Sequence, residues 1–198
     1  MSKSIEIQVL DKIKRNPRGT LFFVDSFAKI TNTKAANKAL ERLVKSDEIV
    51  RVAQGIYVRP IIDKYIGKVL PSIEEIAIAI AKRDRATIVP TGSYAMYKLG
   101  LTTQVPLNIV FYSDTSARKI KIGKQTITFK KASSKNLAFV GEISTLAIQA
   151  LRTIGKDQAT AEEIKQIKKI LRNENSKHFQ HDLQLAPVWI RKLIADNE

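Results

Sequence analysis

Residues 25–60 constrain the fold of this chain more than any other stretch, because a helical pattern is followed directly by the pattern of a β-hairpin. A short amphipathic segment ends at the polar break of residues 31–33. Apolar residues then recur at the spacing of one helical face, which predicts a helix over 34–45; they are Ala36, Leu40, Leu43 and Val44. Two β-rich runs on either side of Gln54-Gly55 predict a tight hairpin.

The residues upstream extend this order of elements. Apolar spacing predicts a first helix over 4–15, and residues 21–24 form an extended run that can pair with the hairpin. Asp25 is placed to cap the helix that follows this run. The order helix, strand, helix, helix, strand, strand is that of a winged helix-turn-helix, so we expect this fold at residues 1–66.

The outer face of the 34–45 helix predicts a contact with the major groove of duplex DNA. Its side chains are mainly basic or amide-bearing, and an Asn can pair with adenine while an Arg can pair with guanine. The basic hairpin suits the neighbouring phosphates or the minor groove. The predicted DNA-binding residues are Lys34, Asn37, Lys38, Arg42, Lys45, Arg51, Gln54 and Arg59. The alternative is an ordinary solvated helix face, on which Lys and Asn are also common.

The charge balance indicates a polyanionic partner. The chain has 198 residues, a formal net charge of +15 and a pI near 10.0. Nucleic acid is the usual partner of so basic a protein, and an anionic membrane surface is second. Residues 67–155 alone hold 13 Lys and Arg against 5 Asp and Glu, so the charge extends well beyond the predicted DNA reader.

The sequence contains no cysteine, no run of 18 apolar residues and no signal-peptide pattern. We therefore expect a cytoplasmic protein that has no disulfide and does not associate with a membrane.

Residues 67–198 predict a second domain of mixed α/β class. A helix starts after Ser72, strands are expected at 86–89 and 107–112, and helices at 142–153, 159–173 and 187–195. A basic hairpin is predicted at 118–130 around Gly123-Lys124. A second nucleic-acid contact is predicted at Lys119, Lys121, Lys124, Lys130 and Lys131. The alternative is that these lysines only keep the surface soluble.

Two short motifs suggest enzymatic or metal chemistry, and neither is complete. Thr91-Gly92-Ser93 after a strand resembles the phosphate-binding turn of a nucleotidyltransferase, but the next strand lacks the paired carboxylates that hold two metal ions. A metal site at His178 and His181 would need further ligands, and Asp182 alone is thin support for one. We therefore predict no catalytic residue, no metal and no cofactor.

Two sets of residues carry a resemblance to a known family. The first, in the predicted winged helix, comprises Asp25, Phe27, Ala39, Leu40, Arg42, Leu43, Ile49, Arg51 and Gly55-Ile56-Tyr57. The second comprises Ser72 to Ala77, Pro90-Thr91-Gly92, Ala95, Leu99 to Pro106, the Arg118 to Phe129 hairpin and Ala186 to Ile190. Through them the chain resembles, over nearly its whole length, the AbiEi-like antitoxins and predicted transcriptional regulators of abortive-infection, type IV toxin–antitoxin systems. The run LGLTTQVP is the most specific part of this resemblance.

The resemblance implies a DNA-binding repressor and antitoxin with no enzymatic activity of its own. Its winged helix would bind the protein's own promoter, and residues 67–198 would counteract a nucleotidyltransferase-like toxin in phage defence, with no direct contact required. One alternative is a nucleic-acid-modifying enzyme with a degenerate nucleotidyltransferase-like C-terminal domain. Another is an antitoxin that acts by protein interaction alone and whose winged helix is vestigial. The sequence does not predict an oligomeric state.

Overall fold

The computed structural model describes residues 3–195 and shows a mixed α/β protein. The chain divides into two compact units, the first ending at Ile80 and the second beginning at Ala81. The boundary expected from the sequence, between residues 66 and 67, lies within the first unit. Nothing in residues 3–195 forms a helix that is both long enough and apolar enough to cross a membrane.

The described part of the first unit contains two complete α-helices, a short 3₁₀ helix and five strands, and a third α-helix begins in it at Ile73 and continues into the second unit. Its helices are α1 (Ile5–Lys14), the 3₁₀ helix (Val24–Phe27) and α2 (Thr33–Lys45). Its strands are β1 (Leu21–Phe23), β2 (Val50–Ala53), β3 (Ile56–Val58), β4 (Ile61–Asp63) and β5 (Gly67–Val69).

Helix α2 forms where the apolar spacing predicts it. The Asn32 side chain caps its first turn by accepting a hydrogen bond of 3.0 Å from the backbone N–H of Ala35. The apolar face is buried in the core of the unit, where Leu40 and Phe27 have no exposed surface. Each such burial contributes about 1.5–3 kcal/mol. The polar face therefore has to point outward.

Strands β1, β3 and β2 form an antiparallel sheet in that order. The extended run at 21–24 thus pairs with the hairpin, as expected, with Phe23 opposite Ile56. Gly55 in the hairpin turn has φ +72°, a conformation that residues with a Cβ rarely adopt. The turn at Gln54-Gly55 is confirmed.

The structure differs from the sequence-based expectations at two places in this unit. Asp25 does not cap an α-helix; it lies inside the four-residue 3₁₀ helix, whose N-cap is Phe23. The Ser26 hydroxyl accepts a 3.1 Å hydrogen bond from the Phe23 N–H, which favours this tight turn over a longer helix. In addition, residues 61–70, for which the sequence analysis predicted no strand, contain the hairpin of β4 and β5.

The second unit combines a four-stranded sheet with helices. The elements from residue 73 onward are α3 (Ile73–Asp84), β6 (Ile88–Thr91), α4 (Ser93–Lys98), β7 (Asn108–Ser113), β8 (Arg118–Ile122), β9 (Gln125–Lys131), α5 (Ser134–Leu137), α6 (Glu142–Ile154), α7 (Ala161–Leu171), α8 (Ser176–Leu185) and α9 (Val188–Ile194). The sheet order is β6-β7-β9-β8, with β7 and β9 parallel and the other pairs antiparallel. Helix α6 lies in a helical core with α7, α8 and α9, where Ile148, Ile167 and Ile190 are fully buried.

Two carboxylates close the N-terminal end of α6. Asp182, fully buried, accepts hydrogen bonds of 2.9 Å from the N–H groups of Val140 and Gly141 and one from the Ser144 hydroxyl. Glu174 accepts hydrogen bonds of 2.8 and 3.0 Å from the amides of Ile143 and Ser144. Burial raises the pKa of Asp182, but its hydrogen bonds outweigh this effect and hold the pKa below the ordinary 3.8. This cap satisfies amides that a helix end otherwise leaves without partners.

Candidate nucleic-acid interface

The outer face of α2 gathers most of the predicted DNA-binding side chains. Lys34, Lys38, Arg42 and Lys45 are exposed, and Asn37 is half-buried beside them. Their spacing places them on the surface opposite the buried leucines of the same helix. The result is a ridge of four positive charges, interrupted by Glu41, along a helix of 13 residues.

Arg42 has a partner that the sequence analysis did not identify. Its Nη1 atom lies 3.5 Å from Oε2 of Glu6 on α1, while 68% of the Arg42 side chain remains exposed. An exposed ion pair at this distance contributes little to stability. The guanidinium is therefore tethered to α1 but can be recruited by a ligand. Helical periodicity within α2 alone holds no signal for this pair, because Glu6 belongs to a different helix.

The hairpin residues are not all together. Arg51 and Gln54 are exposed, and Gln54 lies in the turn itself. Arg59 follows the opposite end of β3, roughly 10 Å from the turn at about 3.3 Å per strand residue. Its side chain is half-buried, and its Nε is buried without a hydrogen-bond partner in the described part of the chain. Arg59 thus lies at the base of the hairpin, two residues along the chain from Tyr57, the partner of Arg51, and away from Gln54 in the turn.

Hairpin β8–β9 presents a second group of lysines. Lys119 and Lys121 pair with Thr128 and Thr126, so they point to the same face of the sheet, as expected. Lys130 lies two residues beyond Thr128 and shares that face. Lys124 is in the turn, and Lys131 projects from the opposite face. All five predicted lysines are exposed, but only three form one ridge.

Arg118, on the opposite face of the hairpin from that ridge, is committed to internal contacts. It forms an ion pair with Asp84, and its guanidinium carbon lies 5.1 Å from the ring centroid of Phe129. Hydrogen bonds from Arg83 and Arg118 lower the pKa of Asp84, and the bond from Arg83 has the larger effect. Arg118 therefore stabilises the unit and is not available to a ligand.

The turn that resembles a nucleotidyltransferase motif has no acidic neighbour from the following strand. Gly92, with φ +69°, precedes the short helix α4, and the Thr91 hydroxyl donates to the buried Gln149 side chain at 3.3 Å. Asp114, the first acid after β7, accepts a hydrogen bond of 3.1 Å from the N–H of Thr87. Thr87 lies just before the first residue of β6, whereas Gly92 follows its last residue. The carboxylate is thus held away from Gly92.

The two histidines belong to the α6 cap and to the surface. Nδ1 of His181 lies 2.9 Å from the Asp182 carboxylate, whose other bonds go to the amides and hydroxyl at the start of α6. His178 is exposed on α8. In residues 3–195, His, Asp and Glu side chains do not gather in any group of three suited to a metal ion.

Comparisons with known proteins place the chain in a family without assigning its role. Residues 8–179 match the model of a family of unknown function, DUF6088, and the chain belongs to that family. No curated protein matches its sequence. The structure is similar to the crystal structure of the RV2827C protein from Mycobacterium tuberculosis, at 11% sequence identity and a TM-score of 0.48. That similarity covers 98% of this chain and 82% of the other.

Proposed function

We propose that this member of the DUF6088 family is a cytoplasmic transcriptional repressor that binds its own promoter. The first unit would be a winged helix-turn-helix, with α2 as the recognition helix in the major groove and hairpin β2–β3 as the wing. The observation that carries the proposal is the basic outer face of α2, next in the chain to a hairpin with an exposed arginine. A helix of this width fits the major groove of B-DNA.

The arrangement of the first unit supports this interpretation. The 3₁₀ turn and α2 follow each other across the polar break, and α2 contacts the turn through the buried core around Phe27. The sheet β1-β3-β2 then holds the hairpin at the end of α2. In helix-turn-helix proteins the second helix carries the base contacts, while flanking elements hold the phosphates.

The charge of the chain supports a large electrostatic part in the binding. Each phosphate that a lysine or arginine neutralises releases counterions, which makes affinity fall steeply with salt. The ridge on α2 offers several such groups, and the lysines of hairpin β8–β9 offer more. We propose that Lys119, Lys121 and Lys130 add a second contact with nucleic acid.

The antitoxin role is the other half of the proposal. It rests on the resemblance to the AbiEi-like family, above all on the LGLTTQVP run at residues 99–106. The second unit would counteract a nucleotidyltransferase-like toxin in phage defence, without needing to contact it. The enzyme alternative has less support, because Asp114 is held away from the Gly92 turn by its bond to Thr87.

The test of DNA binding compares the promoter of the protein's own operon with a scrambled duplex of equal length. Fluorescence anisotropy at increasing salt should show tighter binding to the promoter and a steep loss of affinity with salt. The double variant Lys34→Ala/Lys38→Ala should weaken promoter binding by about 1–3 kcal/mol for each base that the protein can no longer hydrogen-bond. Equal affinity for the two duplexes, with no effect of the variant, would contradict the proposal.

The chain offers a matched control for that variant. Lys165 and Lys169 are exposed, lie four residues apart on α7 and belong to the second unit. Replacing both by alanine removes the same charge from the same type of helix position. The control variant should keep promoter selectivity, whereas the α2 variant should lose it.

The antitoxin role is tested in cells by expressing the neighbouring nucleotidyltransferase-like gene with and without this chain. Rescue of growth by the chain carrying Lys34→Ala/Lys38→Ala would show that neutralisation does not need the promoter contact. Failure of the wild-type chain to rescue growth would refute the antitoxin role and leave DNA binding to be judged separately.

A further inference from the structure

Hairpin β4–β5 has a preformed turn whose apolar tip faces solvent. The Asp63 carboxylate accepts hydrogen bonds of 2.7 and 3.0 Å from the N–H groups of Tyr65 and Ile66, and Gly67 has φ +74°. Tyr65 and Ile66 are 86% and 75% exposed, the highest values for large apolar residues in residues 3–195. Because the turn is already fixed, a partner can contact both side chains without ordering the backbone first.

Apolar residues are exposed on both faces of this two-stranded ribbon. Ile61 and Ile62 are neighbours in β4, so their side chains point to opposite faces, and they are 46% and 54% exposed. Within the described residues, β4 and β5 pair only with each other. A flat surface could cover only one face of the ribbon. A groove with a wall on either side would cover both.

Positive charge follows the hairpin from its tip towards its base. Lys64 lies in the turn, where its Nζ atom is 5.6 Å from the ring centroid of Tyr65. Lys68 lies on β5 and forms an exposed ion pair with Asp47. An exposed pair of this kind contributes little to stability, so Lys68 can exchange its partner for another anion. The hairpin therefore offers cations at two levels along its length.

The base of the hairpin is held to the rest of the first unit beside two arginines. Nη1 of Arg18 donates a hydrogen bond of 2.9 Å to the carbonyl of Pro60. The N–H of Gly19 donates one of 2.8 Å to the carbonyl of Arg59, which immediately precedes Pro60. Arg18 is exposed and has further N–H groups for a ligand, while Arg59 is half-buried. A third level of positive charge thus lies at the base.

This arrangement suits a groove of duplex DNA better than an anionic lipid surface. The minor groove of B-DNA is about 7.5 Å deep, and each strand of the hairpin spans roughly 10 Å at about 3.3 Å per residue. Proteins that enter this groove wedge apolar side chains between base steps while basic side chains contact the backbone. A lipid surface presents its anionic groups at one level only. The charges of Lys64 and Asp63 would then lie in hydrocarbon, which is costly.

The hairpin lies at the C-terminal end of α2. Lys68 contacts Asp47, two residues after the last helical residue, Lys45. From Lys34 to Ser46 the axis of α2 rises roughly 18 Å at about 1.5 Å per residue. Half a turn of B-DNA, which separates a major groove from the next minor groove, is about 17 Å. A duplex with α2 in its major groove therefore has a minor groove within reach of the hairpin.

We propose that hairpin β4–β5 is a minor-groove wedge on the duplex that α2 contacts. Tyr65 and Ile66 enter between base steps, and Lys64, Lys68 and Arg18 contact the flanking phosphates. Such wedges kink the duplex by about 20–90°, so binding bends the promoter. The bend adds a preference for easily kinked steps such as TA to the bases that α2 reads. This inference rests on the proposed function, because α2 positions the duplex.

Tethered cleavage locates the tip on the DNA, because the chain contains no cysteine that would compete with an introduced one. Ile66→Cys in the full chain is labelled with an iron chelate that cuts nearby DNA and is bound to an end-labelled promoter duplex. Val188→Cys, at a position that is 58% exposed in the second unit, is the control. We expect Ile66→Cys to cut one short segment at least ten times more than Val188→Cys does. Equal, diffuse cutting by both would overturn the proposal.

Energy transfer between dyes at the two ends of the promoter duplex measures the bend. The wild-type chain should raise the transfer. Tyr65→Ser/Ile66→Ser should abolish this rise and weaken binding at least tenfold, with an unchanged circular dichroism spectrum. Val140→Ser/Val188→Ser removes two exposed apolar side chains from the second unit and should change neither quantity. An unbent wild-type complex, or a tip variant that bends and binds DNA as the wild type does, would overturn the proposal.

The same titrations separate the wedge from the proposed repressor. A tip variant that behaves as wild type, while Lys34→Ala/Lys38→Ala loses promoter selectivity, refutes the wedge and leaves the repressor standing. Tip-dependent bending of promoter and scrambled duplex alike supports the wedge and refutes the repressor. Tip-dependent co-sedimentation with vesicles of phosphatidylglycerol and phosphatidylcholine, with no effect of the tip on DNA, would assign the hairpin to an anionic lipid surface and overturn the proposal.

Discussion

The ion pair between Glu6 and Arg42 provides a sharp test of the proposed DNA-binding face. The two side chains lie 3.5 Å apart, and Arg42 is mostly exposed. To contact a base, the guanidinium has to leave Glu6, whose carboxylate would also repel nearby phosphates. Glu6→Gln removes the competing charge and keeps the side-chain shape. We therefore expect this substitution to strengthen promoter binding.

The size of the effect follows from the geometry. Exposed ion pairs contribute about 0.2–1 kcal/mol, so freeing Arg42 should raise affinity by about 1.5- to 5-fold. Arg42→Ala should instead weaken binding by about 1–3 kcal/mol, the range for one base contact. The two effects have opposite signs, although both substitutions break the same ion pair.

A double-mutant cycle separates the pair from a general change of charge. Affinities for the promoter are measured by fluorescence anisotropy at one salt concentration for Glu6→Gln, Arg42→Ala and the double variant. The gain from Glu6→Gln should shrink or vanish when Arg42 is absent. Glu162→Gln, at an exposed position on α7, is the control for removing one negative charge. An equal gain in both backgrounds, or a loss from Glu6→Gln, would refute the role of Arg42.

Other substitutions test the remaining parts of the structure. Gly55→Val should strain the hairpin turn at φ +72° and lower affinity for promoter and unrelated duplex alike in gel shifts; altered sequence preference at constant affinity would contradict this. Replacing Lys119, Lys121 and Lys130 of hairpin β8–β9 together by alanine should flatten the slope of log K against log salt by roughly 2 to 3 if each lysine contacts a phosphate. An unchanged slope would show that these lysines do not contact the DNA. Gly141→Ala would put a Cβ 2.6 Å from the Glu174 carboxylate and should lower the free energy of unfolding in urea by about 2–4 kcal/mol. A loss well below 1 kcal/mol would show that the α6 cap adapts. Because the pKa of Asp182 is below 3.8 in the folded chain, its stabilisation should be complete above about pH 4 and lost as the pH falls further; Asp182→Asn should reduce that acid dependence of the urea midpoint.

Local periodicity was sufficient to predict the elements of the first unit that carry the candidate interface. The spacing of Ala36, Leu40 and Leu43 predicts α2, because a helix that buries one face must repeat apolar residues every three or four positions. Gln54-Gly55 predicts the hairpin turn, because a tight turn needs a residue that tolerates positive φ. These signals depend only on neighbours along the chain.

The missed features depend on residues that are distant in sequence or on weak local signals. Helix α8, which the sequence analysis did not predict, places Asp182 against the start of α6, 41 residues from Gly141. Hairpin β4–β5 had a local signal, Asp63 and Gly67 on either side of a turn, but apolar residues exposed throughout it do not show the alternation of a half-buried strand.

The sequence by itself determined which faces of the helices are apolar, which turns are tight and how much positive charge the chain carries, because periodicity, glycine and composition are local or additive properties. Only the tertiary structure decided which of these charges remain free to contact a ligand. Folding ties Arg42 to Glu6 and Arg118 to Asp84, separates Arg59 from the hairpin turn, and leaves Tyr65 and Ile66 uncovered. Each of these outcomes depends on packing between elements, which no window along the chain contains.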